Sequence, residues 1–96
     1  MSDVVSAAIA SINEKLGGEG ISGSIKIDIT DEGALRIDEN GATADDGDAD
    51  CTLNADAETL QGILSGDIDP TSAVMSGKLT IDGDMGMAMQ LGNALA

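Results

Sequence analysis

Four stretches of this chain alternate apolar with polar residues at a period of two, and this alternation limits the possible folds more than any other feature of the sequence. The stretches cover residues 25–30, 35–38, 50–55 and 78–82. Each has the pattern of a β-strand with one buried face and one face in water. The turn sequence Asp31-Glu32-Gly33 joins the first two and predicts a β-hairpin. A sheet of such strands needs other elements to cover its apolar face.

Helical segments supply that cover. Apolar residues at helical spacing predict a helix over residues 2–16, and three later helices are predicted from residue types that cap helix N-termini. The caps are Ser2 or Asp3 for the first helix, then Asp56, Asp69 followed by Pro70, and Asp84. A short edge strand is expected around residues 42–44. The economical packing is an α+β, two-layer domain with its helices on one face of the sheet, spanning residues 1–96 as a single domain.

The last predicted helix is rich in methionine and apolar around most of its surface. Its expected inward face carries Met85, Ala88, Met89, Gly92 and Leu95, with Met87 and Leu91 alongside. Unbranched, polarisable Met side chains can repack around ligands of different shape. They also fill gaps in a core without aromatic residues, and this sequence has no Phe, Tyr or Trp. The residues alone leave both interpretations open.

Three segments in the second half of the chain stand out as a group. They are residues 50–53 (DCTL), 66–75 (GDIDPTSAVM) and 77–91 (GKLTIDGDMGMAMQL). The last looks like the C-terminal strand, turn and helix of sterol carrier protein 2 (SCP-2) domains. The first two resemble the strand-to-helix passage of the same lipid-transfer family in order and spacing. The sequence departs from that family in its lack of aromatic residues and in Asp84, where Asn is common.

The resemblance implies a five-stranded, mostly antiparallel sheet with helices on one face, enclosing an apolar tunnel. In the family, this tunnel takes sterols, fatty acids, fatty acyl-CoA or phospholipids, and the carrier domain brings no catalytic residue. The implied function is that of a non-enzymatic intracellular lipid carrier without a cofactor. Carried onto this chain, the residues of the tunnel wall would be Leu60, Ile63, Leu64, Val74, Met75, Leu79, Ile81, Met85, Met89 and Leu91.

The charge of the chain argues against several classes of partner. It has 18 Asp and Glu residues against 4 Lys and Arg, a formal net charge of −14. Such a surface repels the phosphates of nucleic acids and of anionic lipids, and without aromatic rings no base can stack on it. No apolar segment approaches the roughly 18 residues of a membrane-spanning helix, so no stable membrane insertion is expected. With so few basic side chains, a lipid with a small or neutral head group is favoured.

Two patterns invite a metal or thiol interpretation. Asp46, Asp48 and Asp50 resemble the start of an EF-hand loop, but Cys51 and Ala57 stand where that loop requires Gly and Glu. A solvated acidic turn is therefore favoured, and no metal site is predicted. Cys51 lies on the apolar face of its strand, where a thiol is protonated and unreactive. As the single cysteine it forms no internal disulfide, which favours a cytoplasmic location.

Two other functions stay open from the sequence. The first is an interaction or accessory module that keeps the fold, fills its cavity with its own side chains and acts on a protein partner. Such a module would expose an apolar patch. The second and more distant alternative is an enzyme, because the chain has no His and no recognisable nucleophile motif.

Overall fold

The computed structural model of this protein describes residues 3–17 and 20–95, with side chains described as far as Leu91 in the last helix. Nine elements follow one another along these residues. They are α1 (Asp3–Leu16), β1 (Ile25–Ile29), β2 (Gly33–Asp38), β3 (Gly41–Thr43), β4 (Cys51–Ala55), α2 (Ala57–Ser65), α3 (Pro70–Met75), β5 (Leu79–Gly83) and α4 (Met85–Leu95). None of the described helices has the length and apolar character needed to cross a membrane.

The five strands form one mixed sheet in the order β3-β2-β1-β4-β5. All neighbouring pairs are antiparallel except β1 and β4, which run parallel. The register sets Ile27 of β1 opposite Leu35 of β2 and Leu53 of β4, and Leu53 in turn opposite Ile81 of β5. The prediction of a mostly antiparallel, five-stranded sheet is therefore confirmed.

The large apolar side chains of the strands lie on one face of this sheet. In β1 and β4 the buried and the more exposed residues alternate strictly, because successive side chains of a strand point to opposite faces. The helices cover the apolar face: α1 packs on β2 and β3, α3 on β5, and α4 on β4 and β5. The buried hydrophobic residues of the described chain form one core between the two layers. The predicted two-layer α+β architecture is confirmed.

Carboxylate caps begin the three later helices, as predicted. Asp56 Oδ1 accepts a hydrogen bond from the Thr59 N–H at 2.7 Å, and Asp69 Oδ1 accepts one from the Thr71 N–H at 3.0 Å. Asp84 Oδ1 accepts one from the Gly86 N–H at 2.9 Å. These bonds satisfy N–H groups that have no partner inside the helix, and they fix where each helix starts. Ser2, one of the caps predicted for the first helix, lies outside the described residues.

The inward face of α4 differs from the sequence-based prediction. Ala88 and Leu91 are buried and Met87 is half-buried, whereas Met85 is 56% and Met89 62% exposed. The expectation that Met85 lies on the inward face is therefore wrong, whereas Met89 lies at the boundary between that face and solvent. An almost wholly apolar helix has no polar face to fix its rotation, so its contacts with β4 and β5 decide which residues are buried. The side chains of Gly92 and Leu95 lie outside the described part of the chain.

A side-chain amide satisfies the backbone at the free edge of the sheet. In the short edge strand β3, the Ala42 N–H donates to Asn13 Oδ1 at 2.8 Å. The Asn13 Nδ2 group donates back to the Ala42 carbonyl at 3.0 Å. Asn13 thus gives Ala42 the donor and acceptor that another strand would provide, and it ties α1 to the edge of the sheet.

The acidic segment of residues 44–50 connects β3 to β4 and is held by the polar face of the sheet. Lys26 Nζ lies 2.6 Å from Asp46 Oδ1, and Arg36 Nε donates to the Asp48 carbonyl at 3.1 Å. Arg36 also pairs with Asp38 at 2.6 Å. The hydrogen bond to Asp46 raises the pKa of Lys26 above its ordinary value of 10.5. Within the described residues, no group of three or more His, Cys, Asp or Glu side chains is arranged to hold a metal ion.

Candidate ligand-binding site

A cavity of about 170 Å³ lies between the second half of the sheet and the helices that cover it. Of the described side chains that line it, eleven are apolar and two, Asp69 and Thr71, are polar. The apolar ones are those of Ile27, Leu53, Leu60, Ile63, Pro70, Val74, Leu79, Ile81, Ala88, Met89 and Leu91. Such a lining offers a hydrocarbon a mainly apolar environment.

The floor of the cavity is a row of side chains across three strands. Ile27, Leu53 and Ile81 lie side by side because the registers of the parallel β1–β4 pair and the antiparallel β4–β5 pair bring them to one level. At the next level Leu79 lies opposite Ala55, a small neighbour. All of these residues are at inward positions of the period-two pattern, so the sheet presents a continuous aliphatic surface to the helices.

Side chains of α2 and α3 form the walls of the cavity. Gly62 of α2 allows the connection between the two helices to approach α2 closely. Leu60 and Ile63 are three residues apart and therefore share the inward face of α2. A Cβ atom on Gly62 would overlap the Ile68 side chain, and the Ile68 N–H donates to the Gly62 carbonyl at 3.0 Å. This close approach holds the connection to α3 against α2 and places Val74 at the cavity.

The cavity opens to solvent on one side. Asp69, Thr71 and Met89 are exposed although they line it, and Pro70 is half-buried between the first two. We call the opening beside Asp69, Pro70, Thr71 and Met89 the entrance. Asp69 and Thr71 are thus the polar residues at the entrance.

Seven of the ten residues predicted for the wall line this cavity. They are Leu60, Ile63, Val74, Leu79, Ile81, Met89 and Leu91. The other three lie elsewhere. Leu64 faces α1, where it lines a separate cleft with Val4 and Ala8, and Met85 and Met75 are exposed, the latter by 83%. Contact of any of the ten with a lipid remains a prediction.

The predicted set lacks Ile27, Leu53, Ala88 and the entrance residues Asp69, Pro70 and Thr71. The alternating pattern identifies Ile27 and Leu53 as inward residues. Their position beneath α3 and α4 depends on the order of the strands, and the parallel pairing of β1 with β4 is not visible in the sequence. Asp69 has a visible signal of its own, since a cap residue always lies at the end of a helix and often near solvent.

The chemistry of the lining suits binding better than catalysis. Among the residues that the structure describes, no Cys, Lys, Arg, Glu or Ser side chain lines the cavity. Cys51 is 1% exposed in the core next to Gly83, and burial raises the pKa of its thiol above the ordinary value of 9.0, which keeps it protonated and unreactive. The site therefore offers apolar surface and two polar groups at its entrance.

The volume of the cavity limits what it can hold as it stands. An apolar cavity of about 150 Å³ accommodates benzene, so a space of 170 Å³ encloses a hydrocarbon of about six carbons. Removing each methylene from water stabilises binding by about 0.8 kcal/mol. A longer chain has to extend through the entrance or displace side chains of α4.

Comparison with known proteins agrees with this geometry. The model of a family described as the SCP-2 sterol transfer family matches residues 8–96. The chain is 46% identical over 48 residues to hydroxysteroid dehydrogenase-like protein 2 of Danio rerio. This match covers 50% of this chain and 12% of that protein. It is 42% identical over 52 residues to sterol carrier protein 2 of Gallus gallus, covering 54% of this chain and 10% of that protein. The matches thus span only about a tenth of these curated relatives.

Among solved structures, the chain is similar to sterol carrier protein 2 from Aedes aegypti in complex with palmitate, a C16 fatty acid. The TM-score is 0.80, and the match covers 100% of this chain and 97% of that one. The sequences are 20% identical, so this similarity concerns the fold, which the two chains share over the full length of this one.

Proposed function

Since this chain belongs to the SCP-2 sterol transfer family, we propose that it is a non-enzymatic lipid carrier that holds the hydrocarbon part of its ligand in the cavity above Ile27, Leu53 and Ile81. The proposed ligand classes are sterols, fatty acids and fatty acyl-CoA. The observation that carries the proposal is the apolar space left between the sheet and its helices, which the protein's own side chains do not fill.

A palmitate chain is longer than this space, so the proposal includes a local adjustment of α4. Met89 lines the cavity and is 62% exposed, so its flexible side chain can move aside and pack along a chain that extends through the entrance. The structure of the Aedes aegypti protein with palmitate supports the idea that this fold can hold such a chain.

Two other assignments have less support. An accessory module with a filled interior is disfavoured by the cavity of about 170 Å³. An enzyme would need a base or a nucleophile in the cavity, and the polar lining residues are Asp69 and Thr71 at its entrance. A location in the reducing cytoplasm is part of our proposal, and it is compatible with the buried free thiol of Cys51.

The carrier role is tested by delipidating the protein and adding palmitate, cholesterol or palmitoyl-CoA. A ligand at about 100 times its Kd stabilises the native state by about 2.7 kcal/mol, which corresponds to a rise in Tm of about 10 °C or more for a domain of this size. Native mass spectrometry would report a one-to-one complex. If none of the three classes raised Tm or formed a complex, the carrier role would be wrong.

A pair of variants on α3 links binding to this cavity. In V74F the ring occupies part of the cavity, so we expect lipid binding to weaken at least tenfold, by about 1.4 kcal/mol or more. M75F adds the same ring at the neighbouring, 83% exposed position and should bind lipid like the wild type. Far-UV circular dichroism checks that both variants are folded. Equal lipid affinities of V74F and M75F would show that the lipid binds to another part of the molecule.

A further inference from the structure

The entrance of the cavity carries a negative charge in a fixed position. Asp69 Oδ1 accepts the hydrogen bond from the Thr71 N–H at 3.0 Å, and the Asp69 carbonyl accepts one from the Ala73 N–H at 2.9 Å. Pro70 follows at the first position of α3, where its ring restricts the backbone. The carboxylate therefore cannot move away from the entrance without giving up the cap of the helix.

This cap also occupies a backbone donor that could otherwise receive an anion. A free helix N-terminus attracts negative groups through its unpaired N–H groups. In α3 the carboxylate of Asp69 already bonds to the Thr71 N–H. A carboxylate or phosphate arriving at the entrance meets a like charge at this end of the helix.

No basic side chain compensates for Asp69 among the residues that line the cavity. Lys26 and Arg36 lie on the opposite, polar face of the sheet and are paired with Asp46 and Asp38 at 2.6 Å. The two other basic residues, Lys15 and Lys78, are exposed and are not part of the lining. The field at the entrance is therefore negative, in a chain whose net charge is −14.

The neighbouring Thr71 offers a different kind of contact. Thr71 lines the cavity and is exposed, and its hydroxyl makes no hydrogen bond to another residue in the described part of the chain. A hydroxyl can both donate and accept, so it can bind an alcohol, or donate to the carbonyl of an ester. At the entrance, the Thr71 hydroxyl can therefore bind an uncharged lipid head group, while the Asp69 carboxylate repels an anionic one.

We infer that Asp69 is a specificity-determining residue that makes this cavity select lipids with an uncharged polar head, such as an alcohol or ester, over lipids of the same chain length that end in a carboxylate or phosphate. This inference rests on the proposed carrier function. Two like charges about 6 Å apart in a solvent-exposed setting weaken binding by about three- to tenfold. The effect shrinks as salt screens the two charges.

The test compares 1-decanol with decanoate, which share a chain of ten carbons. Their affinities for the delipidated wild type, D69N and D67N are measured at pH 8 by displacement of a fluorescent lipid, against which a chain without Trp and Tyr gives no background. Asn caps a helix as well as Asp, so D69N keeps α3 and removes the charge. D67N makes the same change in net charge at an exposed residue that does not line the cavity.

We expect the ratio of the two affinities to change in one variant only. In D69N, decanoate binding should strengthen about three- to tenfold while decanol binding stays the same, whereas D67N should keep the wild-type ratio. The gain in D69N should fall below about twofold in 1 M NaCl. A decanoate affinity that is equal in D69N and D67N would overturn the role of Asp69 and leave the carrier function intact. Failure of both ligands to bind to any of the three proteins, while palmitate, cholesterol and palmitoyl-CoA also fail, would overturn both.

Discussion

Single residues decide where the helices around the cavity begin, and Asp56 gives this role a pH dependence. Its hydrogen bonds with Thr59 lower the pKa of the Asp56 carboxyl below the ordinary value of 3.8. A lowered pKa in the folded state means that the ionised form stabilises folding. This stabilisation is fully present above about pH 4, and it is lost as the pH falls through the lowered pKa.

We therefore expect the free energy of unfolding of the wild type to fall more steeply below pH 4 than that of D56N. The Asn side chain keeps the cap but does not titrate. Urea unfolding followed by circular dichroism at a series of pH values measures both curves. D56A, which lacks the cap, should be less stable than either protein at pH 7. Parallel curves for the wild type and D56N below pH 4 would contradict this account.

At the scale of elements, the edge strand β3 is held by hydrogen bonds to Asn13 of α1, so a substitution at Asn13 should lower the stability of this strand. N13D keeps the shape of Asn13 but removes the donor to the Ala42 carbonyl. We expect it to destabilise the protein by about 1–3 kcal/mol, because a backbone acceptor loses its partner and faces a carboxylate.

Urea unfolding measures this loss, and S6D serves as the control. Ser6 is exposed on the same helix, so S6D adds the same side chain and the same charge without touching β3. Its cost should stay below about 0.5 kcal/mol, as for most surface substitutions. If N13D and S6D lower the free energy of unfolding by the same amount, the Asn13 amide does not stabilise the edge of the sheet.

Helix α4 offers a matched pair of methionines, because Met85 and Met89 are similarly exposed and only Met89 lines the cavity. M89A should weaken binding of a long-chain lipid about three- to tenfold, since it removes part of the apolar surface beside the entrance. M85A should bind as the wild type does. Both variants should keep Tm within about 4 °C of the wild type, which titrations and thermal melts would check. Equal losses in the two variants would rule out a specific role for Met89.

The sequence determines the type of each element better than its rotation. The caps Asp56, Asp69 and Asp84 and the alternation of β1 and β4 were sufficient to predict helices and strands, because both signals are local. On the predicted inward face of α4, Met85 was placed wrongly, because the helix has almost no polar residues to orient it. The bonds between Asn13 and Ala42 join parts of the chain that only the folded structure brings together.

The same limit applies to the cavity. Cavity residues of α3, β5 and α4 could be predicted from the family resemblance because they lie in the segments that carry it, and Leu60 and Ile63 of α2 lie between two of those segments. Ile27 comes from the first half of the chain. It lies at the cavity because the parallel pairing of β1 with β4 sets it beside Leu53. A pairing between strands so far apart in sequence has no local signal, so the floor of the cavity could not be completed from the sequence.

For the whole molecule, the net charge of −14 is the dominant electrostatic property. The folded chain measures 31 × 28 × 24 Å, which is close to the Debye length of about 30 Å at 0.01 M salt. At low salt all the carboxylates therefore repel one another across the molecule, whereas at 1 M salt the Debye length is about 3 Å. The folded state, being the more compact, suffers more from this repulsion.

We expect Tm at pH 7 to rise by about 5 °C or more between 0.01 M and 1 M NaCl, because screening removes the repulsion. Near the isoelectric point of about pH 4.1 the net charge is close to zero, so the same increase in salt should have a much smaller effect. Calorimetry at both pH values measures the difference. A Tm at pH 7 that is insensitive to salt would mean that the acidic surface does not limit the stability of this protein.

The parallel pairing of β1 with β4 leads us to expect an order of steps in folding. The hairpin of β1 and β2 closes a short loop, whereas β4 reaches β1 only after the chain has passed through β3 and the acidic segment. Longer closures cost more entropy, so we expect the hairpin to form first and the row of Ile27, Leu53 and Ile81 to be completed after the rate-limiting barrier. A lipid would then find its place only in the finished protein. Stopped-flow circular dichroism should accordingly show that a bound lipid slows unfolding while the rate of refolding stays the same.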